Sequence, residues 1–217
     1  MSGPKDFIDS ILPAAAAAQI NTGLPGAVII AQAIQETGYG KYVTKDKNTG
    51  KDSKNLFNIK GTGPAGSVLA KTFEYYDGKR VTVDANFRAY HNYQESFEDY
   101  MRLIMNNRRY APAVAVKDNP AEYARALQQC GYATDPKYAE ALISLMKQWN
   151  LEERVKEMAD ELKEKDQTPS PWAVPSVEKA KARGVIKGDE RGFSPHKPVT
   201  REELAVILDR LGLLDPK

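Results

Sequence analysis

Residues 25–41 read Pro-Gly-Ala-Val-Ile-Ile-Ala-Gln-Ala-Ile-Gln-Glu-Thr-Gly-Tyr-Gly-Lys. Proline stands where the first turn of a helix tolerates it. Val28, Ile29, Ala31 and Ile34 supply the apolar content, and Gly38 and Gly40 stop the run, so the stretch predicts a helix from Pro25 to about Thr37. It closes a longer segment, Ser10 to Gln35, that holds no charged residue. Glu36 is the first charge after it, in the last turn of an apolar helix. The negative end of the helix dipole and apolar neighbours both disfavour an ionised carboxylate there and raise its proton affinity. A general acid working at neutral pH needs such a shift. On position alone, a solvated glutamate at a helix end is the stronger reading.

Outward from this helix, Phe7, Ile8, Ile11, Leu12 and the alanines through Ala18 form another helical face, closed by Asn21-Thr22-Gly23. Lys41 to Lys54 is polar, lysine-rich and turn-like. Val68 to Phe87 predicts a β-hairpin in which Phe73, Tyr75, Val81 and Val83 flank the turn residues Asp77-Gly78. Helices resume near Ser96–Asn106, Pro120–Gln129 and Pro136–Trp149. Leu151, Val155, Met158 and Leu162 continue as an apolar stripe, read as a helix packing back on the body, a spacer or a short oligomerising segment. Thr168-Pro-Ser-Pro-Trp-Ala-Val-Pro175 is a proline-rich break. Beyond it come a helix around Val177–Arg183, a turn through Gly192, and Thr200 capping a helix to Leu211, with Glu203 completing a capping box. The expected organisation is an α+β, mainly α, body over 1–150, a spacer and linker over 151–171, and a small helical piece over 172–217. A piece of about 45 residues buries little core of its own.

Composition removes several classes of function. Of 217 residues, 41% are hydrophobic and 28% charged, an ordinary globular content. Lys plus Arg is 31 against 29 acidic residues, without the basic excess of a nucleic-acid binder. Cys130 is the one cysteine, so an intrachain disulfide and a Cys-based zinc site are excluded. His91 and His196 have no second ligand at metal spacing, and neither metal nor other cofactor is expected. The uncharged segment is broken by Pro13, Asn21, Gly23 and Pro25, too soon for a membrane span. Asp6 and Asp9 sit where a signal peptide would be basic. No export signal is read, so the expectation is a protein made in the cytoplasm that reaches any outside target by another release route. Gly61-Thr-Gly63-Pro-Ala-Gly66 matches a dinucleotide loop by letter but opens no helix. Asp46 to Phe57 starts like a calcium loop and lacks its glycine and glutamate.

Ile30-Ala-Gln-Ala-Ile-Gln-Glu36-Thr-Gly-Tyr-Gly-Lys41 followed by Asn55-Leu-Phe-Asn-Ile-Lys60 closely resembles the bacterial N-acetylglucosaminidase family of autolysins and flagellar peptidoglycan hydrolases. The likeness continues through Thr72-Phe-Glu74-Tyr, Phe87-Arg-Ala-Tyr90, Glu95-Ser-Phe-Glu-Asp-Tyr100 and Arg109-Tyr110-Ala111, over about residues 5–150. The resemblance implies a lysozyme-like helical fold with a β-lobe that cuts peptidoglycan glycan strands after N-acetylglucosamine. By position it implies Glu36 as general acid, Glu74 as second carboxylate and Tyr110 near the reaction centre. It also implies Tyr39, Phe57, Asn58 and Tyr90 as substrate-binding residues, although hydrophobic core is nearly as good a reading of Phe57 and Tyr90. Two mechanisms stay open. Carboxylates roughly 6.5–9.5 Å apart would invert the anomeric centre through a water, and a wider gap favours attack by the substrate's N-acetyl group.

Trp172-Ala, Gly184-Val-Ile-Lys-Gly188, Gly192-Phe-Ser-Pro195 and Val199-Thr-Arg-Glu-Glu-Leu-Ala205 resemble one S-layer-homology repeat. That likeness implies binding of secondary cell-wall polysaccharide, with Trp172 and Arg201 as contacts, since a guanidinium fork suits sugar carboxylates. Such repeats usually come in threes, which raises a trimer assembled through 151–162 and the repeat. Together the two parts suggest a phage or prophage endolysin. A muramidase, a lytic transglycosylase and a catalytically dead wall-binding module are the alternatives.

Overall fold

The computed structural model describes residues 3–76, 79–171, 173–187 and 199–214, with side chains left out at 74–76 and 166–167. The chain forms two compact units, Met1–Ala159 and Asp160–Lys217.

The first unit is built around one helix. α1 (Pro4–Thr22) carries Pro13 within it and ends at Gly23 in the left-handed conformation. α2 (Gly26–Thr37) follows, with Pro25 as its N-cap and not its first residue. Pro25 has no side-chain acceptor for the helix start, and Gln19 replaces it: its Oε1 accepts from the Gly26 N–H at 2.7 Å. Every residue of α2 is buried except Gln35 and Glu36. A helix apolar on all sides belongs in a core. α1, α5 and α6 pack around it. Ile29 and Ile30 are fully buried, and truncating either would cost about 2–5 kcal/mol.

The corner after α2 is shaped by close approach. The buried Thr37 hydroxyl donates to the Ala33 carbonyl at 2.6 Å and accepts from the Gly40 N–H at 2.9 Å. Gly40 has φ +80°, and a Cβ there would lie 2.6 Å from the Phe7 ring. Only glycine meets both demands.

β1 (Ser67–Tyr76) and β2 (Lys79–Arg88) pair antiparallel, with Val68 opposite Phe87 and Glu74 opposite Val81. The turn residues Asp77 and Gly78 lie outside the described residues. Val68, Phe87 and Ala89 bury the foot of the hairpin, whereas Phe73 is exposed, its ring under the Arg80 guanidinium at 3.5 Å. At its exit, Arg88 Nη1 and the Tyr90 hydroxyl both donate to Asp99 Oδ2, at 2.7 and 2.6 Å. Asp99 belongs to α3 (Tyr93–Asn106), which packs on α1.

A 3-10 turn (Arg108–Tyr110), α4 (Ala111–Ala115), α5 (Pro120–Gln129) and α6 (Tyr138–Gln148) complete the body. The unit boundary falls within α7 (Leu151–Gln167). Leu151, Val155 and Ala159 are buried, and Arg154 pairs with Asp9 of α1. Half of the stripe expected as an oligomerising segment is therefore taken up inside the chain's own core.

The second unit holds α8 (Val174–Ala182) and α9 (Arg201–Arg210). The Thr200 hydroxyl accepts from the Glu203 N–H at 3.1 Å, and the Glu203 carboxylate accepts from the Thr200 N–H at 2.8 Å, the reciprocal capping pair. Arg210 donates to the Val185 carbonyl at 3.2 Å. Among the described residues no helix is long and apolar enough to cross a membrane.

A polar clamp joins the 45–52 loop to the hairpin. Asp46 accepts from the N–H groups of Leu69 at 2.9 Å, Thr49 at 2.9 Å and Asn48 at 3.1 Å. The Leu69 bond is the main reason that its carboxyl falls to a pKa of about 2. A depressed pKa contributes stability that is present above the unfolded value near 3.8 and is lost as pH falls through about 2. We expect Asp46→Asn to lower the melting temperature at neutral pH and to flatten its decline below pH 4. Melting curves across the acid range check this, and an unchanged acid slope would exclude Asp46 as the clamp.

Candidate active site

The site grows from two loops that converge on the exposed end of α2. The first, Asn55–Lys60, is shaped by one buried asparagine. Asn55 Nδ2 donates to the carbonyls of Ile59 at 2.9 Å and Arg88 at 3.0 Å, and its Oδ1 accepts from the N–H groups of Phe57 at 3.3 Å and Ile59 at 3.1 Å. With the loop closed on itself, Asn58 takes the left-handed conformation at φ +52°, which asparagine adopts more readily than most residues. Its Oδ1 accepts from the Thr44 hydroxyl at 2.8 Å, and its amide is among the groups that act on the Glu36 carboxyl.

Glu36 is open to solvent at one side and crowded by protein at the other. The crowding raises its pKa above the ordinary glutamate value, and the Asn58 amide pulls in the opposite direction. Crowding wins. Because water still reaches the carboxylate, the shift corresponds to little folding free energy. Its chemical consequence is a larger protonated fraction near neutral pH.

The other wall is a cluster of tyrosines. Gln32 lies one turn before Glu36 on the same face of α2 and is fully buried. Its Nε2 donates to the hydroxyls of Tyr100 at 2.8 Å and Tyr138 at 2.7 Å. Tyr132 stands against both, its ring centroid 6.2 Å from Tyr100 and 5.6 Å from Tyr138. Arg109 holds the turn before it, donating to the carbonyls of Cys130 and, at 2.7 Å, Gly131. Burial raises the Tyr132 pKa to about 12 and moves that of Tyr138 still further up, with the charge of Glu36 adding to both shifts. Both hydroxyls therefore stay neutral and able to donate a hydrogen bond beside Glu36.

The residues expected from sequence distribute unevenly. Glu36 and Asn58 are together. Tyr110 ends the 3-10 turn, 5.9 Å from the Tyr132 ring, so it borders the cluster through Tyr132. Tyr39 adjoins Glu36 along the chain at φ +60°, and its hydroxyl accepts from Trp149 Nε1 at 3.2 Å. Phe57 and Tyr90 are in the core and not along an open groove. Phe57 stacks on Tyr100 at 4.1 Å, and Tyr90 is 3% exposed with its hydroxyl held by Asp99. Their aromatic faces are occupied by protein. Glu74 has its backbone in β1, but its side chain lies outside the described residues, as does Trp172 altogether. Arg201 opens α9 and is exposed. Among the described residues no group of three or more His, Cys, Asp or Glu side chains is placed to hold a metal. Gln32, Tyr132 and Tyr138 were not foreseen. The four-residue step from Gln32 to Glu36 was the visible clue, while the tyrosines carry no spacing signal.

Comparison with known proteins places the chain in a family. Residues 12–151 match the glucosaminidase family, described as mannosyl-glycoprotein endo-beta-N-acetylglucosaminidase, and residues 165–205 match the S-layer homology domain. The chain is 37% identical over 144 residues to the peptidoglycan hydrolase FlgJ of Vibrio parahaemolyticus, an alignment covering 65% of this chain and 46% of that protein. It is 36% identical over 150 residues to a probable N-acetylmuramidase of Lactococcus lactis, covering 67% and 33%. The chain thus spans less than half the length of these relatives. The solved glycoside hydrolase domain of Salmonella typhimurium FlgJ, truncated at its C-terminus, superimposes with a TM-score of 0.58 at 38% identity, over 68% of this chain and 98% of that one.

Proposed function

The chain belongs to the glucosaminidase family of peptidoglycan hydrolases and carries an S-layer homology domain, and from that premise we propose that it cleaves the β-1,4 bond after N-acetylglucosamine in cell-wall glycan. The observation that carries the reading is Glu36: a carboxyl whose proton affinity is raised by surrounding protein while its face stays open to a polymer. In this reading Glu36 protonates the glycosidic oxygen as the bond breaks. Tyr132 and Tyr138, held neutral, donate hydrogen bonds to developing negative charge or to the substrate's N-acetyl carbonyl. Glu74, on β1, either activates water or leaves the attack to the N-acetyl group. The S-layer homology domain would hold secondary cell-wall polysaccharide through Arg201 and Trp172 and raise the enzyme's local concentration at the wall. A hydrolase joined to such an anchor suits a phage or prophage endolysin acting on the wall after release. A muramidase is the second reading, favoured by the Lactococcus lactis relative that is called an N-acetylmuramidase.

The deciding experiment digests purified peptidoglycan, reduces the products with borohydride and identifies the reduced ends by mass spectrometry. Reduced N-acetylglucosamine is expected. Reduced muramic acid would move the enzyme to the muramidase class. Glu36→Gln is expected to lower turnover by about 10²–10⁴-fold with wall binding intact, and a near-normal rate would remove Glu36 as the acid. Tyr132→Phe should lower kcat at least about tenfold with an unchanged circular dichroism spectrum. For the tail, Arg201→Ala should weaken pull-down on polysaccharide-bearing walls while cleavage of soluble glycan fragments proceeds at the wild-type rate.

A further inference from the structure

The buried amide of Gln32 stands one helical turn before Glu36 on α2, and residues four apart on a helix face are about 5–6 Å from each other. Its Nε2 carries two hydrogens, and both are spent, on the Tyr100 hydroxyl at 2.8 Å and the Tyr138 hydroxyl at 2.7 Å. A phenol oxygen that accepts from an amide keeps its own proton, which must find an acceptor elsewhere. The amide does not take it back, because Oε1 meets no donor. Tyr100 is buried, its ring stacked on Phe57 at 4.1 Å. Tyr138 is half-buried at the start of α6, so of the two it is the one whose proton can be offered outside the core.

We propose that Gln32 is a positioning residue that sets the polarity of the tyrosine wall: by donating to Tyr100 and Tyr138 from the core side, it turns the Tyr138 proton toward the substrate. The inference rests on the reading of Glu36 as general acid and of Tyr138 as a donor at the site. A phenol free to rotate spends part of its time with its proton on the core side and a lone pair toward the substrate. An amide that already donates from the core side removes that orientation before substrate arrives. Developing negative charge or an N-acetyl carbonyl is stabilised by a donor and repelled by a lone pair. The amide is also out of place on packing grounds alone. α2 is otherwise apolar along its buried length, and a buried polar side chain with an unpaired oxygen costs stability that an apolar one of similar bulk does not. A fixed direction for the two hydroxyls is what the amide supplies and an apolar side chain cannot.

The experiment measures kcat and KM on soluble peptidoglycan fragments for the full chain, Gln32→Met, Tyr138→Phe and the double variant. Gln32→Met keeps the length of the side chain and removes both donors. It should lower kcat at least about tenfold and leave KM within about twofold, with an unchanged circular dichroism spectrum. Tyr138→Phe should lower kcat by at least as much. Adding Gln32→Met to Tyr138→Phe should then lower kcat by less than about twofold more, since no outgoing proton is left to direct. Losses that multiply in the double variant, or a normal kcat in Gln32→Met, would overturn the positioning role, because an amide that serves only the fold acts independently of the phenol. If Gln32→Met does not fold, Tyr100→Phe decides. It keeps the ring on Phe57 and releases one amide hydrogen, and it should lower kcat at least about threefold alone and not in the Tyr138→Phe background. An equal loss in both backgrounds, or none in either, would overturn the proposal. Glu36→Gln separates the premise from the inference: activity in that variant refutes the general acid, and a fully active Tyr138→Phe refutes the donor. An inactive Glu36→Gln and an impaired Tyr138→Phe with multiplying losses refute only the role of Gln32.

Discussion

Burial of α2 is the constraint on which the rest depends. A helix with no polar face cannot lie on a surface, so α1, α5 and α6 close over it and the chain's largest fully buried aliphatics gather along it. Its C-terminal turn is where the core meets water, and Gln35 and Glu36 are the residues left there. A carboxylate in that position is held by the rigidity of the core and half-stripped of water by the walls that the core creates. The chemistry of Glu36 is a by-product of packing: the same apolar residues that anchor the helix also shape the environment of its last carboxyl.

The remaining polar groups around Glu36 are organised by buried amides. Gln32 ties Tyr100 and Tyr138 from beneath, and Asn55 curls the loop that presents Asn58. Each is inside the core, where an unpaired polar group costs about 1–3 kcal/mol, so the partners of each must stay in register. Asn55 is satisfied at both ends, whereas Gln32 leaves its Oε1 without a partner. That imbalance sits one turn below Glu36. It is consistent with a pattern in which local energetic cost collects at functional sites.

Much of this was legible from the chain. The α2 helix, the paired strands of the hairpin, the start of α5 and the Thr200 capping box follow from local rules on glycine, proline and alternation, and the structure has them. Glu36 was visible as the single charge ending an uncharged run. What was not legible depends on non-local packing. Tyr132 lies 96 positions beyond Glu36 and joins the site only because α5 and α6 pack against α2. Phe57 and Tyr90 looked as suited to sugar faces as to a core. Only Tyr100 stacking on one and Asp99 capping the hydroxyl of the other decided between them.

The two elements of the proposed catalytic pair are held by different forces. Glu36 belongs to a helix buried along almost its whole length, a non-directional and salt-insensitive anchorage. Among its described side chains the hairpin that carries Glu74 buries its foot, at Val68, Phe87 and Ala89, and polar links also attach it, among them Asp46 to Leu69, Lys47 to Asp84, Arg88 to Asp99, and backbone bonds from Gly61 to Asn86 and from Arg88 to Ile59. Such links are individually weak and partly screened at the surface. In the proposed hydrolase, a firmly anchored acid and a strand pair held largely by polar contacts are a sensible division for cutting a long glycan strand. In that reading the acid must be placed to within a fraction of an ångström, whereas the lobe that carries Glu74 must let the polymer in. It follows that changes to the hairpin's polar attachments should alter how substrate enters more than how the bond is broken, while changes to the packing of α2 should do the reverse.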